Sequence, residues 1–302
     1  MSKATRIRQQ NARERIAAQR AAARRAEIRN QVLIVSGSVL AVIAIVVVIV
    51  VYAVNRNSGS SGGTTGPTGT ALPASVQKDI TTVPASTLNS VSLSSVLSYT
   101  SNSPIVPISD KPLTSNGKPE MLYIGAEFCP YCGAERWAMA VALSRFGTFS
   151  PLRGIHSNST DVDPSTPTLT FYKSTYTSPY LVFTPVENET VNKTPLQNTT
   201  SAQQALWVKY DTTTEDGVQE QGFPFIDFGN KYVIKNPSYD PGVLAKMTWS
   251  QVAAALHNPS SPVAQGADGT ANLITAAICK MTGGKPADVC TSAGVKAASA
   301  HL

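Results

Sequence analysis

Cys129 and Cys132 are the residues whose type and spacing could do chemistry in this chain. They bracket Cys129-Pro130-Tyr131-Cys132, so two thiols stand within one turn of each other. A thiolate attacks disulfides and also ligates soft metals. Residue type alone therefore leaves three readings: a redox pair, a structural disulfide, or half of a zinc site. The context of the pair favours redox exchange.

That context is a strand feeding a helix. Met121-Leu122-Tyr123-Ile124-Gly125 is a short apolar run of the kind expected from a strand buried on both faces. Pro130 suits the first turn of a helix, where its missing N–H costs nothing. Trp137 and Val141 then repeat at helical spacing, as do Leu143 and Phe146, and Gly147 stands where a helix C-terminus favours glycine. Cys129 is thereby placed at a helix N-terminus, where free N–H groups favour a thiolate. Cys132, one turn further in, is placed to close onto Cys129. The expected asymmetry is an accessible, acidic Cys129 and a buried, inert Cys132. Glu127, two residues before Cys129, reads first as a solvated rim residue and second as a proton acceptor for the Cys132 thiol.

At these residues the chain resembles the thioredoxin superfamily. Ala126-Glu127-Phe128 is similar to the small-acidic-aromatic step before the first cysteine of thioredoxins, and Cys-Pro-Tyr-Cys looks like the glutaredoxin motif. The resemblance implies a cis-proline opening a strand that faces the cysteines. Gly222-Phe223-Pro224-Phe225-Ile226-Asp227-Phe228 fits it, with Gly229-Asn230 as a hairpin turn before Tyr232-Val233-Ile234. Phe223 and Pro224 would then shape a substrate groove. Most of the chain beyond residue 54 is also similar to domain of unknown function 929, a group of membrane-anchored thioredoxin-like proteins. The chain departs from the thioredoxin pattern in two places. Thioredoxins carry a buried acid six residues before the first cysteine, where Tyr123 stands here, and Pro224 follows Cys129 by 95 residues, leaving room for an insertion.

The other two cysteines, Cys279 and Cys290, flank a Gly283-Gly284-Lys285-Pro286 break between helical stretches expected at 271–281 and 286–300. Their separation of eleven lies outside ordinary zinc-ligand spacing. A structural staple or a second redox pair exchanging with Cys129 remain as readings. An even number of cysteines, none in the basic N-terminal arm, fits an oxidising compartment.

Charge is concentrated at one end. Before Gln31 there are nine basic residues and two acidic ones, although the whole chain carries only +6. Residues 32–54 follow, almost wholly apolar and long enough for the ~20 residues that cross a bilayer core. The basic arm then reads as a positive-inside signal rather than a nucleic-acid tether. No metal, nucleotide or flavin motif is present, so no cofactor is expected.

The expected organisation is a cytoplasmic arm (1–31), a transmembrane helix (32–54) and a flexible Ser/Gly/Thr linker (55–73). An extracytoplasmic α/β thioredoxin-like domain (74–258) with an insertion (149–200) and a C-terminal helical hairpin (259–302) would follow. Within it, helices are expected near 74–81, 85–98, 201–210 and 249–256, and Leu169–Tyr172 should pair with Tyr180–Phe183 as a hairpin. The function expected is a membrane-tethered thiol–disulfide oxidoreductase acting on exported proteins. The alternative is a redox-inert binding module with a structural Cys129–Cys132 disulfide. The topology is testable directly: a phosphatase reporter fused after Leu302 should be active, and a stable but inactive fusion would overturn the orientation.

Overall fold

A computed structural model describes residues 69–215 and 218–302, within one compact unit, Thr64–Leu302. The arm, the expected span and all but the last few linker residues lie outside the described residues. Among the described residues no helix is long and apolar enough to cross a membrane.

The chain enters as β1 (Thr70–Ala71) and three short helices, α1 (Ala74–Thr81), α2 (Ala85–Ser90) and α3 (Ser94–Thr100). The single helix expected over 85–98 is thus broken, because Val91 adopts an extended conformation and the Ser92 hydroxyl accepts from the Ser94 N–H. Strands β2 (Val106–Pro107), β3 (Thr114–Ser115) and β4 (Lys118–Gly125) lead to α4 (Pro130–Ser144). Then come β5 (Thr148–Ser150), β6 (Arg153–His156), β7 (Pro167–Thr170), β8 (Thr175–Thr177) and β9 (Val182–Glu187). Helix α5 (Ser201–Asp211), with a Thr200–Gln203 capping box, precedes a hairpin of β10 (Thr212–Glu215) and β11 (Val218–Gln221). The second half closes with β12 (Phe225–Phe228), β13 (Tyr232–Ile234), α6 (Trp249–Ala255), α7 (Pro262–Met281), α8 (Ala287–Cys290) and α9 (Ala293–Ser299).

The architecture is mixed α/β. The central sheet runs β2-β13-β12-β4, with β9 parallel to β4 on its other side and β3 paired to the start of β4. Strand periodicity divides its side chains between two layers. Met121, Tyr123, Ile226, Phe228 and Ile234 join the main core with α4, whereas Leu122, Ile124, Phe225, Val233 and Val186 pack with Trp207 of α5. A strand buried on both faces was expected at 121–125, and all five residues are buried.

Helix α4 is also enclosed. Every residue from Cys132 to Leu143 is buried, by the sheet on one side and by β7 and α7 on others. Trp137 is fully buried and donates its indole N–H to the Pro167 carbonyl at 3.0 Å, so its one polar atom is satisfied. Gly147 is not left-handed. Its role is close approach: a Cβ there would stand 2.3 Å from the Thr177 carbonyl oxygen.

One pairing and one helix start differ from the sequence reading. The segments at 169–172 and 180–183 do not form a hairpin. Leu169 and its neighbours in β7 pair with β6, in a small sheet with β1, while β9 reaches the central sheet beside β4. Both runs are apolar because both are buried, which carries no information about the partner. The helix expected from Ala271 starts earlier, at Pro262, capped by the Ser261 hydroxyl on the Ala264 N–H.

Cys279 near the end of α7 is bonded to Cys290 at the end of α8, eleven residues on. Closing a loop of that size contributes roughly 3 kcal/mol in the chain-entropy account. Replacing both with serine should lower the melting temperature while leaving Cys129 and Cys132 reactive toward a disulfide dye. Loss of that reactivity with the fold intact would mark the second pair as redox-active.

Candidate functional site

Cys129 is the N-cap of α4, Pro130 its first residue, and the Cys129 Sγ accepts the Cys132 backbone N–H at 3.2 Å. This is the helix-start geometry expected from the sequence. The loop before it is pinned by backbone bonds: Asn188 N–H to Gly125 carbonyl at 2.6 Å, Glu127 N–H to Glu189 carbonyl at 2.8 Å, and Asn158 N–H to Phe128 carbonyl at 2.9 Å. Segments following β6 and β9 therefore hold the loop that carries the first thiol.

Both sulfurs are free thiols. The expected accessibility contrast is small: Cys129 is 5% exposed and Cys132 fully buried. The expected contrast in acidity is reversed. The thiols titrate as a pair. Burial resists charge at Cys132, but a hydrogen bond from the Cys129 thiol and the Arg136 guanidinium together hold it below the ordinary thiol value. Burial, and then the neighbouring Cys132, push Cys129 well above that value. The helix start acts on Cys129, but Arg136 stands four residues beyond Cys132 on the same helix.

Phe223 and Pro224 are brought to the thiols. The bond between them is cis. Phe223 packs on the small cluster of Ala126, Cys129 and Cys132, together with Phe128 and Tyr131. Its ring meets Phe128 edge-on at 6.1 Å and Trp207 at 5.1 Å between centroids. Helix α5 fixes this segment. Trp207 donates its indole N–H to the Gly222 carbonyl at 3.1 Å, and the Asp211 carboxylate accepts the Gly222 N–H at 3.0 Å. Lys193 stands over the Phe128 ring at 5.0 Å, adding a positive charge to an aromatic rim.

The disulfide is not part of this site. The end of α7 meets the turn after β12, where Met281 lies against Gly229 and Lys231 donates to the Lys280 carbonyl at 3.0 Å. That turn is at the opposite end of β12 from Pro224, so Cys279 and Cys290 sit at the far end of the sheet.

Three groups behind the thiols escaped the sequence reading or were misread. Glu127 is not a rim residue. It is buried, its Oε1 accepting the Thr170 hydroxyl at 2.8 Å. Arg136 and Glu187 form a fully buried ion pair at 2.6 Å. The signal for Arg136 was present, because the lone cation of a mostly apolar helix, seven residues after Cys129, shares the cysteine face. Nothing local marked Glu187. Tyr123, in place of the thioredoxin acid, is fully buried with no partner for its hydroxyl.

Residues 104–280 match the family described as domain of unknown function (DUF929). The chain belongs to this family. No curated protein and no solved structure matches it. The DUF929 region contains the thiols, the Phe223-Pro224 segment, Arg136, Glu187 and Cys279, and ends before Cys290.

Burial pushes the carboxyls of Glu127, Glu135 and Asp227 up to about 7. Each keeps a proton in the folded state that the unfolded chain has already lost. The folded state therefore binds more protons between the ordinary carboxylate range and about 7, and its stability falls as pH rises through that window. Glu135→Gln should lessen the drop in melting temperature between about pH 5 and about pH 8. A variant whose pH profile matches the parent's would contradict this assignment.

Proposed function

We propose that this DUF929 protein is a thioredoxin-like, membrane-tethered thiol–disulfide oxidoreductase of exported proteins, working through Cys129 and Cys132. The observation that carries the reading is a pair of free thiols opening a helix, packed against the Phe223-Pro224 segment. A strand-to-helix cysteine motif facing a cis-proline is what the thioredoxin resemblance implies. The apolar span at 32–54 and the basic arm before it favour tethering, with the catalytic domain exported.

Cys129 is taken as the attacking residue because it retains slight exposure, 5% against none for Cys132, and because it opens the helix. The thiol pair loses its first proton at Cys132, whose thiolate accepts the Cys129 S–H; passage of that proton to Cys132 leaves Cys129 as the thiolate that attacks. Its thiolate forms a bond to one sulfur of a substrate disulfide, and the other sulfur leaves as a thiolate. Cys132, deprotonated in turn, attacks the Cys129 sulfur. The mixed disulfide breaks, a Cys129–Cys132 disulfide forms, and two electrons have passed to the substrate. Run backwards, the same steps oxidise a substrate dithiol.

The near-complete burial of Cys129 favours a second reading, in which the site is a redox-inert binding module. Trapping separates the two. Cys132→Ser should accumulate mixed disulfides between Cys129 and exported proteins, since nothing remains to resolve them, while Cys129→Ser should accumulate few. Absence of adducts from both variants, with the parent unable to reduce a model disulfide, would leave the binding module.

A further inference from the structure

Cys129, Cys132 and Arg136 follow one another at spacings of three and four, so they share one face of α4. Arg136 is fully buried there. Its Nε donates to Glu187 Oε1 at 2.9 Å and its Nη2 to Oε2 at 2.6 Å. Nη2 also donates at 2.7 Å to the carbonyl of Ala126, in the loop that carries Cys129. Nη1 is equally buried and has no partner. The guanidinium carbon stands 5.9 Å from the centroid of the Tyr123 ring, whose hydroxyl is also without a partner. The charged and titratable groups around the thiols are therefore Arg136 and Tyr131 from α4, Tyr123 from β4, Glu187 from β9 and Glu127 from the loop between β4 and α4. Lys193 stands further out, over the Phe128 ring.

Stability alone is a poor account of such a pair. A dry ion pair is often no better than well-packed apolar groups of the same size, because desolvation offsets the attraction. Position is a better account. A thiolate formed at the pair puts a second negative charge into this pocket beside Glu187, and Arg136 is the one buried cation among the groups named. We propose that Arg136 and Glu187 are positioning residues for the thiol pair: Arg136 holds the charge of a thiolate at Cys129–Cys132, and Glu187 tempers that hold by competing for the same guanidinium. The unpartnered Nη1 is the donor left over for this purpose. Burial is the largest influence on both thiols, but against it Arg136 favours ionisation of each, and Glu187 opposes it at Cys132. The purpose of the device rests on the oxidoreductase reading. Its action on the thiols does not.

The test is a pH titration of thiolate absorbance in the reduced full-length chain, with the oxidised chain as baseline and melting temperature recorded for each variant. Glu187→Gln keeps the shape of the acceptor and removes its charge. The first apparent thiol pKa should fall by about one unit, a tenfold rise in thiolate fraction below the midpoint. The neutral double variant, Arg136→Met with Glu187→Gln, should shift it upward, and Arg136→Lys should hold it closer to the parent's than the double variant does. A folded Glu187→Gln protein with the parent's titration, or with a raised value, overturns the proposal. Should Glu187→Gln unfold because Arg136 is left unpaired, the double variant decides by the direction of its shift. Thiol values that move as expected in a protein that exchanges no model disulfide would uphold this inference and remove the oxidoreductase reading.

Discussion

The buried ion pair between Arg136 and Glu187 joins the parts of the molecule on which the site depends. Arg136 belongs to the helix that carries both cysteines, Glu187 to the end of the strand lying parallel to β4. Through Nη2 the same guanidinium holds the Ala126 carbonyl, and Glu187 Oε1 also accepts the Phe171 N–H at 3.1 Å. One charged contact thus ties the cysteine helix, the thiol loop, a central strand and the segment after β7. Removing one partner would leave a dry uncompensated charge, a loss of about 3–5 kcal/mol. The site and the fold share this constraint, so the charge that shapes the thiols cannot drift away from them.

The rest of the site follows from layering. The cysteine helix is held between the central sheet and α7, so that within it only Tyr131 near the start and Ser144 at the end are partly exposed. On the other face of the sheet, α5 packs through Trp207 and grips the Gly222 backbone from both sides. Phe223 is consequently presented to the thiols by an element that lies across the sheet from them. Rigid elements supply both walls of the candidate groove, the arrangement a site needs if reacting atoms are to be held in register.

The burial of polar groups here is dense. Glu127, Glu135, Arg136 and Glu187 are all inaccessible, and Glu127 and Glu135 each have an oxygen with no partner. Desolvation pushes the carboxyls of Glu127 and Glu135 up to about 7. A neutral carboxyl near a thiol pair leaves the field of Arg136 less cancelled than a simple count of charges would indicate. This is why Glu127 must be treated as part of the interior and not as a solvated rim.

Local signals sufficed for much of the molecule. Pro130 after Cys129, the apolar run at 121–125, the Gly229-Asn230 turn and the Ser201 and Trp249 helices could be read directly, because each is set by backbone preference or by periodicity within a few residues. The turn takes the left-handed conformation at both positions, φ 65° and 57°, as Gly-Asn allows. By itself the sequence therefore determined a strand-to-helix step with two thiols at its start, and a proline-led hairpin downstream. Only the tertiary structure decided that β9 lies beside β4, that Glu127 is interior, and that Glu187 meets Arg136 across 51 residues. Those outcomes depend on which distant segments exclude water from one another. An apolar strand is equally content beside any buried partner, and a glutamate carries no mark of whether its environment will be wet or dry until the chain has closed around it.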